Sequence, residues 1–198
     1  MSSFKNGLDI YLGPMFSGKS SALLRKLSLL AEMGLKVLYI NHVIDNRGEN
    51  LFSTHSPLLN GAKPEISMIK VAVLTEIDTK FLLSFDVVGL DESQFWGNEL
   101  VPFVKGLVDD NGKYVIVAGL DGSYKREKFG YVLDLIPFAD HVEKLSAFCK
   151  RCASSSRGLV PAIFTYYGGE KMVDVVNVGG AEKYQAVCRN CYNELTKI

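Results

Sequence analysis

Residues 13 to 20 read GPMFSGKS, with four residues between Gly13 and Gly18 and then Lys19 and Ser20. A loop of this spacing curls so that its backbone N–H groups point at phosphate oxygens, while the lysine reaches the β- and γ-phosphates and the serine hydroxyl ligates magnesium. The motif constrains the fold because the loop must leave a strand and open a helix. Before it stands LDIYL, a short apolar run that reads as a buried strand. After it, SALLRKLSLLAEMG places Leu23, Leu24, Leu27, Leu30 and Ala31 on one helical face, with Gly34 as the stop. The helix adds its positive N-terminal end to the loop. Gly13, Pro14, Met15, Phe16, Ser17, Gly18, Lys19 and Ser20 are therefore the candidate triphosphate contacts, and Ser20 a candidate magnesium ligand.

The remaining pattern extends this unit. KVLYIN (36–41), ISMIKV (66–71), DVVGLDE (86–92) and YVIVAGL (114–120) read as further strands, with helices predicted over 74–83 and 98–108 and a polar loop over 45–64. Short apolar runs alternating with helices indicate an α/β fold, with a mostly parallel sheet covered on both faces. Beyond about Asp140 the helical pattern fades and cysteines appear. We place a boundary there, giving a nucleotide-binding core over 1–140 and a second unit over 141–198.

DVVGLDE supplies a second half to the phosphate site. A buried strand delivers Asp91 and Glu92 to the carboxyl edge of the sheet, where such folds bind ligands. Asp91 is suited to holding magnesium and Glu92 to acting as a base, either on water, as in an ATPase, or on a substrate hydroxyl, as in a kinase. Spacing does not choose between them. Cys149-x-x-Cys152 and Cys188-x-x-Cys191 use all four cysteines of the chain, with 35 residues between the pairs. Two such knuckles make a closed tetrahedral zinc site, which ties a long insert at its base. Asp45 and Arg47, in IDNRG, suit either a polyphosphate or a surface charge pair, and KREK (125–128) reads as a solvated face.

Composition removes other classes. With 22 basic and 22 acidic residues among 198, the chain has no net charge to draw it to nucleic acid. No apolar run is long enough to span a bilayer, so we expect no membrane partner and a cytoplasmic setting.

The motifs LGPMFSGKS, D-x-R at Asp45 and Arg47, TH at Thr54 and His55, DESQF (91–95), AGLDGSYKREKFG (118–130), the two cysteine pairs and GGAEKY (179–184) occur in that order. Together, from Leu8 to Tyr192, they closely resemble the type II thymidine kinases of animal cytosol, bacteria and large DNA viruses. The resemblance implies transfer of the ATP γ-phosphate to the 5′-hydroxyl of thymidine or deoxyuridine, with Glu92 as the base. It further implies that Asp45, Arg47 and Asp91 to Gln94 join the phosphate loop around ATP and Mg²⁺. It implies a RecA-like core and a zinc-anchored lasso that closes over the nucleoside base. Main-chain groups around Val175, Val176, Asn177, Val178 and Gly179 would then read the base, with Tyr184 against the sugar and Thr165 nearby. Met15, Phe95, Leu120, Tyr124 and Phe129 would line the base pocket. A homotetramer and feedback inhibition by dTTP are further family expectations. Three features depart from the family pattern: Ser93 replaces a glycine, Tyr124 a phenylalanine, and SSSRGLVPAIFTYYGG is longer than usual. The rival readings are a P-loop ATPase with a zinc-ribbon nucleic-acid segment and a non-catalytic nucleotide-binding module. The first is disfavoured by the lack of a basic stripe over 141–198, the second by the presence of both Asp91 and Glu92.

Overall fold

The computed structural model describes residues 5–45, 66–155, 157–169 and 183–196. Its apolar strand segments alternate their side chains between two faces, and each face is covered. β1 (Gly7–Gly13) runs into α1 (Lys19–Glu32), followed by β2 (Val37–His42), β3 (Ile66–Val71), α2 (Thr79–Leu83), β4 (Val87–Asp91), α3 (Leu100–Lys105), β5 (Tyr114–Leu120) and β6 (His141–Lys144). The six strands form one parallel sheet in the order β3-β2-β4-β5-β1-β6. One strand, β5, separates the phosphate-loop strand β1 from the carboxylate strand β4.

Leu8, Ile10 and Leu12 of β1, with Leu38, Ile40, Val88, Leu90, Val115 and Val117, pack beneath Trp96, Leu100, Val104, Leu107, Val132 and Leu135. On the other face Tyr11, Val37, Tyr39, Val87, Ile116 and Ala118 pack against Leu23, Leu24 and Leu27 of α1. Asp9 is 2 % exposed on the α1 face. Its carboxylate accepts from Lys26 of α1, which also donates to the Tyr114 hydroxyl at 3.1 Å. Burial alone would lower the Lys26 pKa, but bonds to Asp9 and Tyr114 overcome it and raise it.

Two predicted helices are broken. Over 74–83 there is a 3₁₀ turn (Leu74–Glu76) and then α2, because Ile77 is extended and the Asp78 carboxylate caps a new start, accepting from the Phe81 N–H at 2.8 Å. Over 98–108 the helix begins at Leu100 and widens after Lys105 into a π-helical turn (Gly106–Asp110). The strand β6 was not expected. Its four residues, HVEK, are all exposed and, among the described residues, it pairs with β1 alone, so it lacks the apolar run that marks interior strands.

The sheet therefore runs to Lys144, four residues past the boundary expected near 140. Beyond it lie β7 (Ala147–Phe148), α4 (Lys150–Ala153), β8 (Pro161–Ala162), β9 (Phe164–Tyr167), β10 (Tyr184–Val187) and α5 (Arg189–Thr196). β7 pairs with β8 and β9 with β10, both antiparallel. This unit has its own small core, built around the four cysteines with Ala147, Ala162, Ala186, Val187 and Tyr192.

Close packing of α1 depends on Gly89 in β4: a Cβ there would stand 2.5 Å from Leu27 Cδ1 and 3.1 Å from Leu23 Cδ1. Gly89→Val overpacks this contact and is expected to cost about 2–3 kcal/mol, read as a lower midpoint in urea unfolding.

Candidate active site

Because the strands are parallel, β1, β2, β4 and β5 all end at one edge, and each releases a functional segment there. After β1 the chain turns through Gly13 (φ 147°), Phe16 (φ 64°) and Gly18 (φ 83°). Gly18 is the N-cap of α1 and has no side chain to occupy the first-turn amides, which leaves the helix start suited to an anion. The loop is braced from within: the Ser17 hydroxyl donates to the Pro14 carbonyl at 2.9 Å and the Lys19 ammonium to the same carbonyl at 2.7 Å. It is braced from outside as well, since Met15 N–H donates to Thr165 Oγ1 at 3.0 Å.

At the end of β4, Asp91 is 3 % exposed. Its Oδ2 accepts from the Tyr39 hydroxyl at 2.9 Å and its Oδ1 from the Glu92 N–H at 2.9 Å, and Ser20 bonds to the same carboxylate. The two candidate magnesium ligands, Ser20 and Asp91, are thus side by side and supply two oxygen donors. Burial, followed by the charge of Glu92, pushes the Asp91 pKa up to about 6, against the opposing bonds from Ser20, Tyr39 and the Glu92 amide. Tyr39 is pushed far up by burial and by Asp91.

Glu92 has a left-handed backbone (φ 52°) and starts a 3₁₀ turn, Ser93–Phe95. Ser93 keeps a negative φ, is fully buried, and donates from Oγ to the Leu90 carbonyl at 3.1 Å. The serine in DESQF is therefore accommodated without backbone strain. Gln94 Nε2 donates to Glu92 Oε2 at 2.6 Å, while Gln94 Oε1 accepts from the Leu120 N–H at 3.0 Å. Asp45, 3 % exposed beyond β2, accepts from Asn41 Nδ2 at 3.0 Å, and its carbonyl accepts from Lys70 Nζ at 2.9 Å. Arg47 and Val175 to Gly179 lie outside the described residues.

Aromatic rings gather around Phe95. Phe95 and Phe129 meet edge to face with centroids 5.8 Å apart, and His42 lies 5.6 Å from Phe95. Burial lowers the His42 pKa, and its Nδ1 accepts from the Ile44 N–H at 3.1 Å. Tyr124 and Tyr184 each pack against Tyr167, at 5.5 and 5.2 Å. Tyr167, which the sequence leaves as either a loop anchor or simple packing, and Tyr39 join these groups. Tyr167 reaches its place through pairing with Tyr184 across the β9–β10 ladder, a contact between residues separated by the long insert. Tyr39 was legible only as the one polar-tipped side chain in the apolar run VLYI.

The four cysteine side chains are buried, and their Sγ atoms lie within 4.8 Å of one another. Cys152 Sγ is 3.8 Å from that of Cys188 and 3.6 Å from that of Cys191. A tetrahedron of sulfurs about 2.3 Å from a zinc ion has edges of about 3.8 Å, so the donor set fits such a cation. Burial raises Cys191 and Cys152, whereas at Cys149 burial is outweighed by the N–H groups of Cys188 and Cys152 and by the neighbouring thiols, and its pKa falls.

A strand, phosphate loop and helix, with an Asp-Glu pair closing a second parallel strand, define a P-loop nucleotide-binding protein. The thymidine kinase family profile matches residues 6–192, and the chain belongs to that family, whose members are ATP-dependent nucleoside kinases. It is 38 % identical over 191 residues to the cytosolic thymidine kinase of Bos taurus, covering 96 % of this chain and 74 % of that one. It is 40 % identical over 194 residues to the thymidine kinase of Oryza sativa subsp. japonica, covering 96 % and 67 %. With that of Variola virus it shares 35 % over 188 residues, covering 93 % and 96 %. Among solved structures, the flagellar accessory protein FlaH of Methanocaldococcus jannaschii is similar at 19 % identity and a TM-score of 0.49 over 71 % of each chain, too distant to bear on function. Among the described residues no helix is long and apolar enough to cross a membrane.

The raised Asp91 pKa has a stability consequence. The folded state holds the proton more tightly than the unfolded chain, so stability is fully present below about pH 4 and is lost as pH rises through about 6. In magnesium-free buffer, Asp91→Asn is expected to remove a cost of roughly 3 kcal/mol at pH 8 but only about 1 kcal/mol at pH 4.5. Paired thermal melts at the two pH values check it, and an equal gain at both would contradict the assignment.

Proposed function

We propose that the chain transfers the γ-phosphoryl group of ATP to the 5′-hydroxyl of thymidine or deoxyuridine, with Glu92 taking the hydroxyl proton. The observation that carries this reading is the position of Glu92. It follows Asp91 at the end of β4, Asp91 bonds to Ser20 of the phosphate loop, and the Phe95–Phe129 pair follows three residues on. One carboxylate thus follows the residue that bonds to the phosphate loop and opens the turn that carries Phe95. The 5′-oxygen forms its bond to the γ-phosphorus as the bond to the β–γ bridging oxygen breaks, its proton passes to Glu92, and ADP leaves. In so loose a transition state, placement and charge stabilisation matter more than forceful proton removal.

Loop amides from Gly13 to Ser20 and the Lys19 ammonium bind the phosphates, helped by Asp45 and Arg47. Ser20 and Asp91 are the residues that would hold magnesium, which when bound neutralises charge on the β- and γ-oxygens. Met15, Phe95, Leu120, Tyr124, Phe129, Thr165 and Tyr184 surround the nucleoside, and the main chain from Val175 to Gly179 reads the base. A zinc ion on Cys149, Cys152, Cys188 and Cys191 anchors this lasso, the smaller unit that follows the core. The enzyme works in the cytoplasm as a homotetramer inhibited by dTTP.

ADP release measured with each of the four deoxynucleosides tests the reading. Thymidine is expected to accelerate turnover far above the rate with water alone; equal rates with and without nucleoside would favour an ATPase. Glu92→Gln is expected to lower kcat about 10²- to 10³-fold with ATP affinity retained, and an unchanged kcat would remove the base from this role. Elemental analysis is expected to return one zinc per chain. Cys188→Ser should lose that zinc and lower the melting temperature, because three thiolates cannot close the tetrahedron.

A further inference from the structure

Gln94 is buried, at 3 % exposure, and both ends of its side-chain amide are committed. Pairing between β4 and β5 stops at Leu90 with Val117. Three residues further along β5, the Leu120 N–H is met by Gln94 Oε1 at 3.0 Å. A backbone N–H can only donate, so the carbonyl end of the amide must face Leu120 and the NH₂ end must face Glu92. The 2.6 Å bond from Nε2 to Glu92 Oε2 therefore has a fixed sense, with the amide donating to the carboxylate.

The turn carrying this amide is held by contacts that leave little freedom. The Phe95 N–H donates to the Glu92 carbonyl at 3.1 Å, closing the 3₁₀ turn. Gly130 comes so close that a Cβ there would stand 2.3 Å from the Gln94 carbonyl oxygen, and its φ of +64° is one that a side chain would strain. Gly119 leaves space on the other side, where a Cβ would stand 3.3 Å from Gln94 Oε1. Glu92 sits at the bend with a long side chain of several rotatable bonds, whose ordering has an entropic cost.

We propose that Gln94 is a positioning residue for the base: it ties one oxygen of the Glu92 carboxylate to the last backbone amide of β5 and so sets the direction in which that carboxylate faces. The inference rests on Glu92 acting as the base. It differs from a phosphate-contacting role for Gln94, because here the side chain acts through Glu92 and does not touch the nucleotide.

A double-mutant cycle separates the possibilities. Gln94→Leu alone is expected to lower kcat about 10- to 100-fold, with KM for ATP and for thymidine within about threefold of the parent. In a Glu92→Gln background the same change should cost less than about twofold, since there is no longer a base to orient. Gln94→Glu keeps the size and the acceptor for Leu120 but replaces the donor with an oxygen. It should lose kcat as Gln94→Leu does, and it serves the cycle if the leucine variant folds poorly. Additive losses in the double variant, or a raised KM for ATP with kcat intact, overturn the proposal while leaving the base in place. Full activity in Glu92→Gln alone overturns the reading beneath it, and the proposal with it.

Discussion

A parallel strand covered on both faces can carry a charged side chain without a large desolvation cost only where it ends or where a partner reaches in. Almost everything about this chain's polar chemistry follows from that constraint. In the interior the exception is Asp9, and it is met by Lys26. At the carboxyl edge, strands β1, β2, β4 and β5 let go of the core together. Gly13, the segment to Asp45, Asp91 and Leu120 are thereby brought to one line, although 107 positions separate the first from the last.

The Asp91 carboxylate is the junction of this edge. It collects the Tyr39 hydroxyl from β2, the Ser20 hydroxyl from the start of α1 and the amide of its own successor. Burial nevertheless pushes its pKa up to about 6, so these bonds do not fully replace water for a negative charge. A group in that condition is better satisfied by a cation than by further hydroxyl donors. The same physics recurs at the cysteines, where burial pushes Cys191 and Cys152 away from the thiolate while Cys149 is drawn toward it. Both clusters lie where several chain segments converge, and positive charge placed there would stabilise them.

Much of the core and of the site was legible because each part is specified locally. GPMFSGKS needs only its own eight residues and its flanks, and the continuous apolar run of DVVGLDE needs only one strand. What escaped the sequence depends on partners far along the chain. β6 is a strand only because β1 offers an open edge, since HVEK carries no apolar run of its own. The break at Asp78 turned on whether a carboxylate would cap a new helix or sit in an old one. Gln94 is a different case: its residue type suited phosphate or carboxylate equally, and only the position of the Leu120 N–H fixes which way its amide faces. Tyr167 needed the β9–β10 register, which spans an insert with little periodicity.

The contacts between the cysteine unit and the core bear on how the two halves work together. Thr165 of β9 receives the Met15 N–H in the middle of the phosphate loop. The Tyr192 hydroxyl of α5 donates to the Tyr124 carbonyl at 2.7 Å, and the Arg126 guanidinium lies 4.3 Å from the Tyr192 ring centroid. Two of the anchoring segments are short and held by the cysteine cluster, since α4 and α5 have only 4 and 8 residues. Helices of that length have little stability of their own, so their positions depend on tertiary and metal-ligand bonds. A cation held by the four cysteines would therefore do more than close a distant knuckle. By holding β9 and α5 in place it would also hold Thr165 against Met15, and so contribute to the shape of the phosphate loop.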